Sequence, residues 1–584
     1  MPSNERVKIN LPSAVLVLAI AAMGAPGVAA AAECQSQDTG ITLSPGFCAT
    51  VFADNLGHVR HLAVSSDNVV YANTWSGRYY HNDTPPPGGF LLALKDTTGS
   101  GKADVVKRFG PDKAAGAAGG TGIVLYNGGL YAELNDKIVR YARAAGDVAP
   151  AGQARTVLSG LPLTGDHPMH PFIIDAKGNL FVDLGSATNA CQANNRMPLS
   201  PGHKPCTELE TRGGTWRYDA NKTGQTFSAS ERYATGIRNG EGFGIDKAGR
   251  LYVTQHGRDQ LSQNWPKLYT VDQGVELPAE ELLELKQGGD YGWPECYYDQ
   301  VQNKLVLAPE YGGDGGKTVG ACASKQAPVA AFPGHLAPND LLIYTGTQFP
   351  GPYRDGAFIA FHGSWNRAPR DQAGYNVVFQ PLSDGKAANH YVVFADGFAG
   401  AHMDPGRAAF RPSGLAMGPD GALYIGDDVH GRIWRVTYHG DAATAQVAAA
   451  PAPAAASGPG GGAVPPEGTH ADAGRTTPDL PVPPGATKDQ VALGDRIFHG
   501  EASNGTCAGC HGSDAKGTPV GPDLASGVWN FGDGSLAAIT KTVTEGVPRP
   551  RNYTGAMPPK GGAELSDSDT AAVAAYVWAI SHAK

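Results

Sequence analysis

DNVVYANT (67–74), NGGLYAEL (127–134), KGNLFVDL (177–184), AGRLYVTQ (248–255), DGAFIAFH (355–362) and DGALYIGD (420–427) are copies of one short pattern. In each, a turn with Gly or Asn leads into an apolar strand with an aromatic near its start: Tyr71, Tyr131, Phe181, Tyr252, Phe358 and Tyr424. One such segment alone is an ordinary turn-and-strand signal. The aromatics, however, lie 60, 50, 71, 106 and 66 residues apart, and a blade of four short strands with its loops fits each interval. Six copies in one continuous stretch predict a mainly β architecture, a six-bladed β-propeller spanning residues 33–441. The irregular spacing predicts long functional loops, the largest between Tyr252 and Phe358.

The rest of the composition agrees. The chain has 584 residues, too many for one ordinary core. Its 79 Gly and 44 Pro disfavour helix interiors, so a mostly helical protein is excluded. With 41% hydrophobic and 17% charged residues the chain is not disordered throughout. Lys and Arg number 46 against 55 Asp and Glu, a net charge of −9, which argues against broad nucleic-acid binding.

Outside the repeats the chain changes character three times. Arg6 and Lys8 precede the apolar run Ala14 to Met23, and small residues follow. That order predicts an export signal over 1–32 and a periplasmic protein. The run is shorter than the ~20 apolar residues of a membrane span, and no other segment is apolar enough for one. Residues 442–486 are rich in Ala, Pro and Gly, and predict a flexible tether whose ends average roughly 35 Å apart. Residues 487–584 open with the helical pattern KDQVALGDRIF and end in an amphipathic helix that Ser566 would cap.

Between those helices stands Cys507-Ala-Gly-Cys510-His511. C-x-x-C-H is a c-type haem attachment signature: the two thiols bond the porphyrin and His511 ligates iron from one side. Met557, in GAMPPK, is the one methionine beyond residue 417 and the expected sixth ligand. A soft thioether opposite histidine raises the haem potential and suits electron transfer. A redox disulfide or half of a zinc site would explain C-x-x-C alone, but not the trailing His and the later Met, and no second cysteine pair follows. The segment closely resembles class I cytochrome c domains, small and all-α. The six other cysteines form sequence-near couples, Cys34 with Cys48, Cys191 with Cys206 and Cys296 with Cys322. This is one of fifteen possible pairings, favoured because small loops close easily. An exported protein keeps such disulfides.

In the propeller, polar residues on loops are candidates for a site: Asp166-His167, Arg238-Asn239, Gln255 to Arg258, His335, Asn366-Arg367 and Arg411. Several arginines plus a histidine suit a ligand with multiple carboxylates beside a base. The stretches 165–186, 236–259, 288–297, 344–367 and 411–428 resemble, in order, the glucose/sorbosone dehydrogenase family of pyrroloquinoline quinone (PQQ) enzymes, its sorbosone branch above all.

That resemblance implies PQQ, Ca²⁺ and a set of roles. His167, after Asp166, would be the catalytic base, taking a proton from the substrate hydroxyl. Arg238 and Asn239 would support negative charge on the quinone oxygen. Gly257 and Arg258 fall where backbone carbonyls hold Ca²⁺. Arg411, with Asn366 or Arg367, would pair with PQQ carboxylates, and His335 falls at a further contact. Three departures stand out. Ser186 occupies the place of the aspartate that orients the histidine in the soluble glucose dehydrogenase, so Asp166, Asp183 or water would orient His167, or His170 would be the base. Asn239-Gly240-Glu241 replaces Asn-Pro-Gln. A substrate-contacting glutamine is replaced within GAAGGTGI (116–123). The whole predicts a periplasmic quinohaemoprotein dehydrogenase for an aldose or sugar aldehyde, with electrons passing to haem c and then to a respiratory acceptor. The alternative is a carbohydrate-binding or scaffold propeller without PQQ, fused to an independent cytochrome.

Overall fold

All six copies of the pattern occupy the same place, the second strand of a blade of four antiparallel strands, to which two blades add a short fifth, in a computed structural model. It describes residues 39–74, 87–111, 120–447 and 480–583, apart from breaks at 145, 364–365, 368–369, 402, 404–407, 444, 500–501, 504, 506, 513–514, 518–520, 549, 554–556 and 564. The expected export signal and most of the tether lie outside the described residues, and no helix among the described ones is long and apolar enough to cross a membrane.

The second strands are Val69–Thr74, Gly129–Leu134, Asn179–Leu184, Leu251–Gln255, Ala357–Phe361 and Leu423–Asp427. Nearly every residue in them is buried, with no alternation of inside and outside. A strand in the middle of a blade packs against neighbouring blades on both faces, so both sets of side chains must be apolar. Tyr71, Tyr252 and Phe358 are fully buried, and each such side chain contributes about 1.5–3 kcal/mol. The ring closes with chain from the N-terminal side: Phe47–Ala53 pairs antiparallel with Ile433–Tyr438 and completes the last blade. Thr42–Leu43 likewise extends the fifth blade. Closure of this kind leaves no long sheet edge exposed.

The long interval after Tyr252 holds two short helices, α1 (Leu261–Asn264) and α2 (Val271–Glu276), and a hairpin of Cys296–Asp299 with Lys304–Leu307. Cys296 bonds Cys322, and Cys191 bonds Cys206. Cys48 is disulfide-bonded too; its expected partner Cys34 lies outside the described residues.

The C-terminal domain is helical: α3 (Lys488–Phe498), α4 (Cys507–His511), α5 (Leu536–Glu545) and α6 (Asp567–Ser581). Capping boxes at Thr487/Gln490 and Ser566/Asp569 start α3 and α6. These two helices cross at Gly494, where an added Cβ would lie 2.0 Å from the Ala572 carbonyl oxygen. Val447 packs on the propeller core, and Leu480 and Ala486 pack on the helical one.

Candidate functional site

The helical domain encloses an apolar cavity lined by Cys507, His511, Met557, Phe498, Trp529 and Val543, among others. His511 is buried, and its Nδ1 lies 2.9 Å from the Pro522 carbonyl oxygen, so Nδ1–H donates there and Nε2 keeps its lone pair for a metal. Burial lowers the His511 pKa, which also favours the neutral ring. Met557 is pinned by two backbone bonds with Val547, at 2.8 and 3.1 Å. Histidine and methionine facing one apolar cavity beside a cysteine pair fit a haem.

In the propeller, His167 and Arg238 are buried, and blade-end loops surround them. The His167 Nδ1 lies 2.9 Å from the Ser186 carbonyl oxygen and 3.0 Å from Ser186 Oγ. Ser186 Oγ spends its own proton on the Thr188 carbonyl, at 2.6 Å. Nδ1 therefore carries the hydrogen, and Nε2 is the basic nitrogen. Burial first, and then the Arg238 charge, hold His167 well below the ordinary histidine pKa, so the ring is neutral.

Ser186 itself therefore orients the histidine, by its carbonyl and hydroxyl; Asp166 and Asp183 do not. The Asp166 carboxylate turns to Arg196, at 2.9 Å. Asp183 accepts from the Gly240 amide at 3.1 Å, and burial pushes its pKa well up. The other candidate base, His170, has both nitrogens committed: Nδ1 to Glu133 at 3.0 Å and Nε2 to the Pro162 carbonyl at 2.8 Å.

Arg238 is held by four acceptors. They are the Asn189 carbonyl (3.0 Å), Asn189 Oδ1 (3.0 Å), the Gly257 carbonyl (2.9 Å) and Asp259 Oδ2 (3.0 Å). Asp259 is a hub that the motif reading passed over, although it directly follows Gly257 and Arg258. It also pairs with Arg196 at 3.0 Å and accepts from Asn366. Burial opposes its charge, but Arg238 and Arg196 outweigh burial and keep it ionised. Arg196 sits between Cys191 and Cys206, in a stretch with no motif to flag it. Asn239 lies 3.5 Å from Glu241.

The remaining candidates divide. Arg411 donates through Nε to the His362 carbonyl at 3.1 Å and through Nη2 to the Gly363 carbonyl. Arg367 reaches the Val275 and Gly334 carbonyls, at 3.0 and 2.7 Å, and Glu276 at 2.5 Å. His335 Nε2 lies 2.9 Å from the Gly274 carbonyl. Arg258 turns its side chain away, to Glu310, which also accepts from Trp265 at 2.8 Å. Arg258 is thus an anchor for the α1 insertion, and only its backbone lies at the expected metal position.

Among the site candidates, the buried Arg367 Nε has no hydrogen-bond partner. A spare buried donor there suits a polycarboxylate such as PQQ. At Gly257 a Cβ would meet the carbonyl oxygens of Ala279 and Pro278 at 2.9 and 3.1 Å, and the Gly257 amide donates to Glu280 at 2.9 Å. Carbonyl oxygens packed close to Gly257, with a second lone pair left on its own oxygen, suit Ca²⁺. Burial pushes Glu280 up to about 7.

The two centres are neighbours. Met197, on the loop that carries Arg196, is 3% exposed and belongs to the hydrophobic cluster of the helical domain. Burial pushes the Cys510 thiol pKa up, with the Arg196 charge opposing and the Asp259 and Asp166 charges adding to the rise.

Comparison with known proteins agrees with this division. The family described as TrAA12-like matches residues 41–439, and "Cytochrome C oxidase, cbb3-type, subunit III" matches residues 491–577. An uncharacterized protein of Borreliella burgdorferi is 28% identical over 46% of this chain and 64% of its own length. A pyrroloquinoline quinone-dependent pyranose dehydrogenase of Coprinopsis cinerea is 26% identical over 34% of this chain and 30% of its own. The chain thus spans less than two thirds of either relative. The cbb3-type oxidase subunit CcoP of Rubrivivax gelatinosus is 38% identical over 16% of this chain and 27% of its own. Among solved structures, the calcium structure of the Trichoderma reesei family AA12 enzyme covers 68% of this chain and 97% of its own, with 18% identity and a TM-score of 0.54. The holo PQQ domain of the Coprinopsis pyranose dehydrogenase covers the same shares at 18% identity and 0.52.

Proposed function

The chain belongs to the TrAA12-like family, a PQQ sugar dehydrogenase-like propeller joined to a cytochrome c domain, and from that membership we propose a periplasmic quinohaemoprotein dehydrogenase. Its substrate is an aldose or sugar aldehyde, with L-sorbosone and glucose the first to try. The proposed layout is an export signal (1–32), the propeller (33–441), a tether (442–486) and the haem domain (487–584).

The observation that carries the reading is His167, a buried neutral histidine whose tautomer Ser186 sets, 3.0 Å at most from each of its two acceptors. Such a ring presents a basic Nε2 to a hydroxyl proton. Bound PQQ would supply the two-electron acceptor, and bound haem c the one-electron carrier. The protein's part is electrostatic and positional. Arg238, fixed by Asn189 and Asp259, keeps positive charge beside His167 and disfavours protonation of the resting base. Asn239 adds an amide to the same wall. Arg411, Arg367 and Asn366, with His335, would orient the cofactor carboxylates. The carbonyls at Gly257 and its neighbours would hold Ca²⁺. In the helical domain His511 and Met557 would bind iron, with Cys507 and Cys510 holding the porphyrin.

The name of the Coprinopsis relative supports a pyranose-type substrate. The likeness to oxidase subunits supports a respiratory oxidase or small electron carrier as acceptor. The test is a sugar panel on the full-length haem protein loaded with PQQ and Ca²⁺, followed by haem absorbance and by a quinol-oxidising dye. At least one aldose or aldehyde should reduce both. If none reduces either, the dehydrogenase reading is wrong.

A further inference from the structure

The segment from Cys191 to Cys206 lies outside the blade strands and touches both centres. A disulfide closes it. It is also tied internally: the Arg196 amide donates to Gln192 at 2.9 Å and the Asn194 amide to Ser200 at 2.9 Å. The Leu199 amide donates to the Asn264 carbonyl at 3.0 Å, fastening it to α1. Its backbone enters the left-handed region at Cys191, Arg196 and Leu199, with φ of 48°, 63° and 59°. Non-glycine residues avoid that region unless the surroundings impose it.

The imposed turn sends adjacent side chains to different places. Arg196 points to the propeller centre and grips Asp166 at 2.9 Å and Asp259 at 3.0 Å. Met197, the next residue, is buried among the apolar side chains of the helical domain, in one cluster with Cys507 and Ala508 of the haem-binding motif. A flexible apolar side chain in a foreign core is a common way for one surface to seat on another. The tether makes a modest contact sufficient, since it keeps the helical domain at a local concentration of about millimolar.

We propose that the disulfide-closed segment 191–206 is the docking element for the chain's own haem domain, with Met197 as the seat and Arg196 as the strut that fixes this seat to the propeller centre. It rests on the dehydrogenase reading for its purpose, which is to hold the haem close to the electron source. Met197 is a positioning residue and touches no reacting atom.

The experiment uses the full-length haem protein and three variants, Met197→Leu, Met197→Gln and Met197→Glu. Small-angle scattering without PQQ reads the docking itself. The Glu variant should show a larger radius of gyration, the Gln variant the same change in lesser degree, and the Leu variant the parent value. With PQQ, Ca²⁺ and a sugar that serves the parent, haem reduction should slow about tenfold or more in the Glu variant, while dye reduction at the propeller stays at the parent rate. The Gln variant serves if the Glu variant does not fold. Unchanged scattering together with unchanged haem reduction in the folded polar variants would overturn the proposal. If the parent reduces neither dye nor haem with any sugar, the dehydrogenase reading falls, and scattering alone decides the docking.

Discussion

The propeller gathers its centre from loops spread between Asp166 and Arg411, whereas the helical domain takes its own from one pentapeptide and a methionine some 46 residues later. The propeller centre is held by charge: Arg238 and Arg196 share Asp259, and Asp166 completes the set. The helical centre is held by apolar contact around His511, with a carbonyl to fix the ring. A dispersed centre needs directional bonds to align pieces that the chain does not connect. A contiguous one needs only a lined cavity. The two should therefore fail independently and in different observables.

The largest effect is expected at the base. His167→Ala should lower sugar turnover about 10²- to 10⁴-fold and leave the haem spectrum as it was; unchanged turnover would remove His167 from the chemistry. Next comes Arg238→Met, expected to cost about 10²- to 10³-fold in turnover. It also has a pH signature. Burial and Arg238 depress the His167 pKa, so the parent base stays neutral well below pH 6.5, the ordinary value. Without Arg238 the His167 pKa rises, and the acid limb of kcat/KM should move to higher pH. A fixed limb would mean that another group titrates.

On the other side of the comparison, Gly494→Ala forces a methyl against the Ala572 carbonyl. It should destabilise the helical domain by about 1–3 kcal/mol, read as a lower haem-domain melting temperature with dye-linked turnover preserved. A matching fall in dye turnover would show that the two centres do not fail separately. The smallest effect is expected for Ser186→Ala, which removes one of two acceptors on His167 Nδ1 and keeps the carbonyl. A loss of about 0.5–1.5 kcal/mol, roughly tenfold or less in kcat/KM, would confirm that the backbone carbonyl does most of the orienting. A loss as large as that of His167→Ala would assign the task to the hydroxyl.

The legibility of each centre follows the same division. Cys507, Cys510, His511 and Met557 could be picked out because a haem site is local in sequence and its residue types are rare. The second strands could be picked out because a blade repeats its turn and its buried run. The role of the Arg258 side chain was not legible, since the resemblance speaks only of the backbone at Gly257 and Arg258; its ion pair with buried Glu310 shows it anchoring an insertion. Asp259, Asn189 and Arg196 went unflagged because a common polar residue shows its role only through its partners. The orientation of His167 could not be read, because a serine offers a carbonyl as well as a hydroxyl and the backbone path decides which faces the ring.

By itself, then, the sequence determined six repeating strands and a haem attachment motif, each encoded within a few neighbouring residues. Tertiary structure alone decided that Phe47–Ala53 closes the ring, that Asp259 joins two arginines, and that Met197 lies in the core of the other domain. Those are contacts between residues far apart in the chain, and their free energy comes from burial and from charges paired out of water, which no local pattern records.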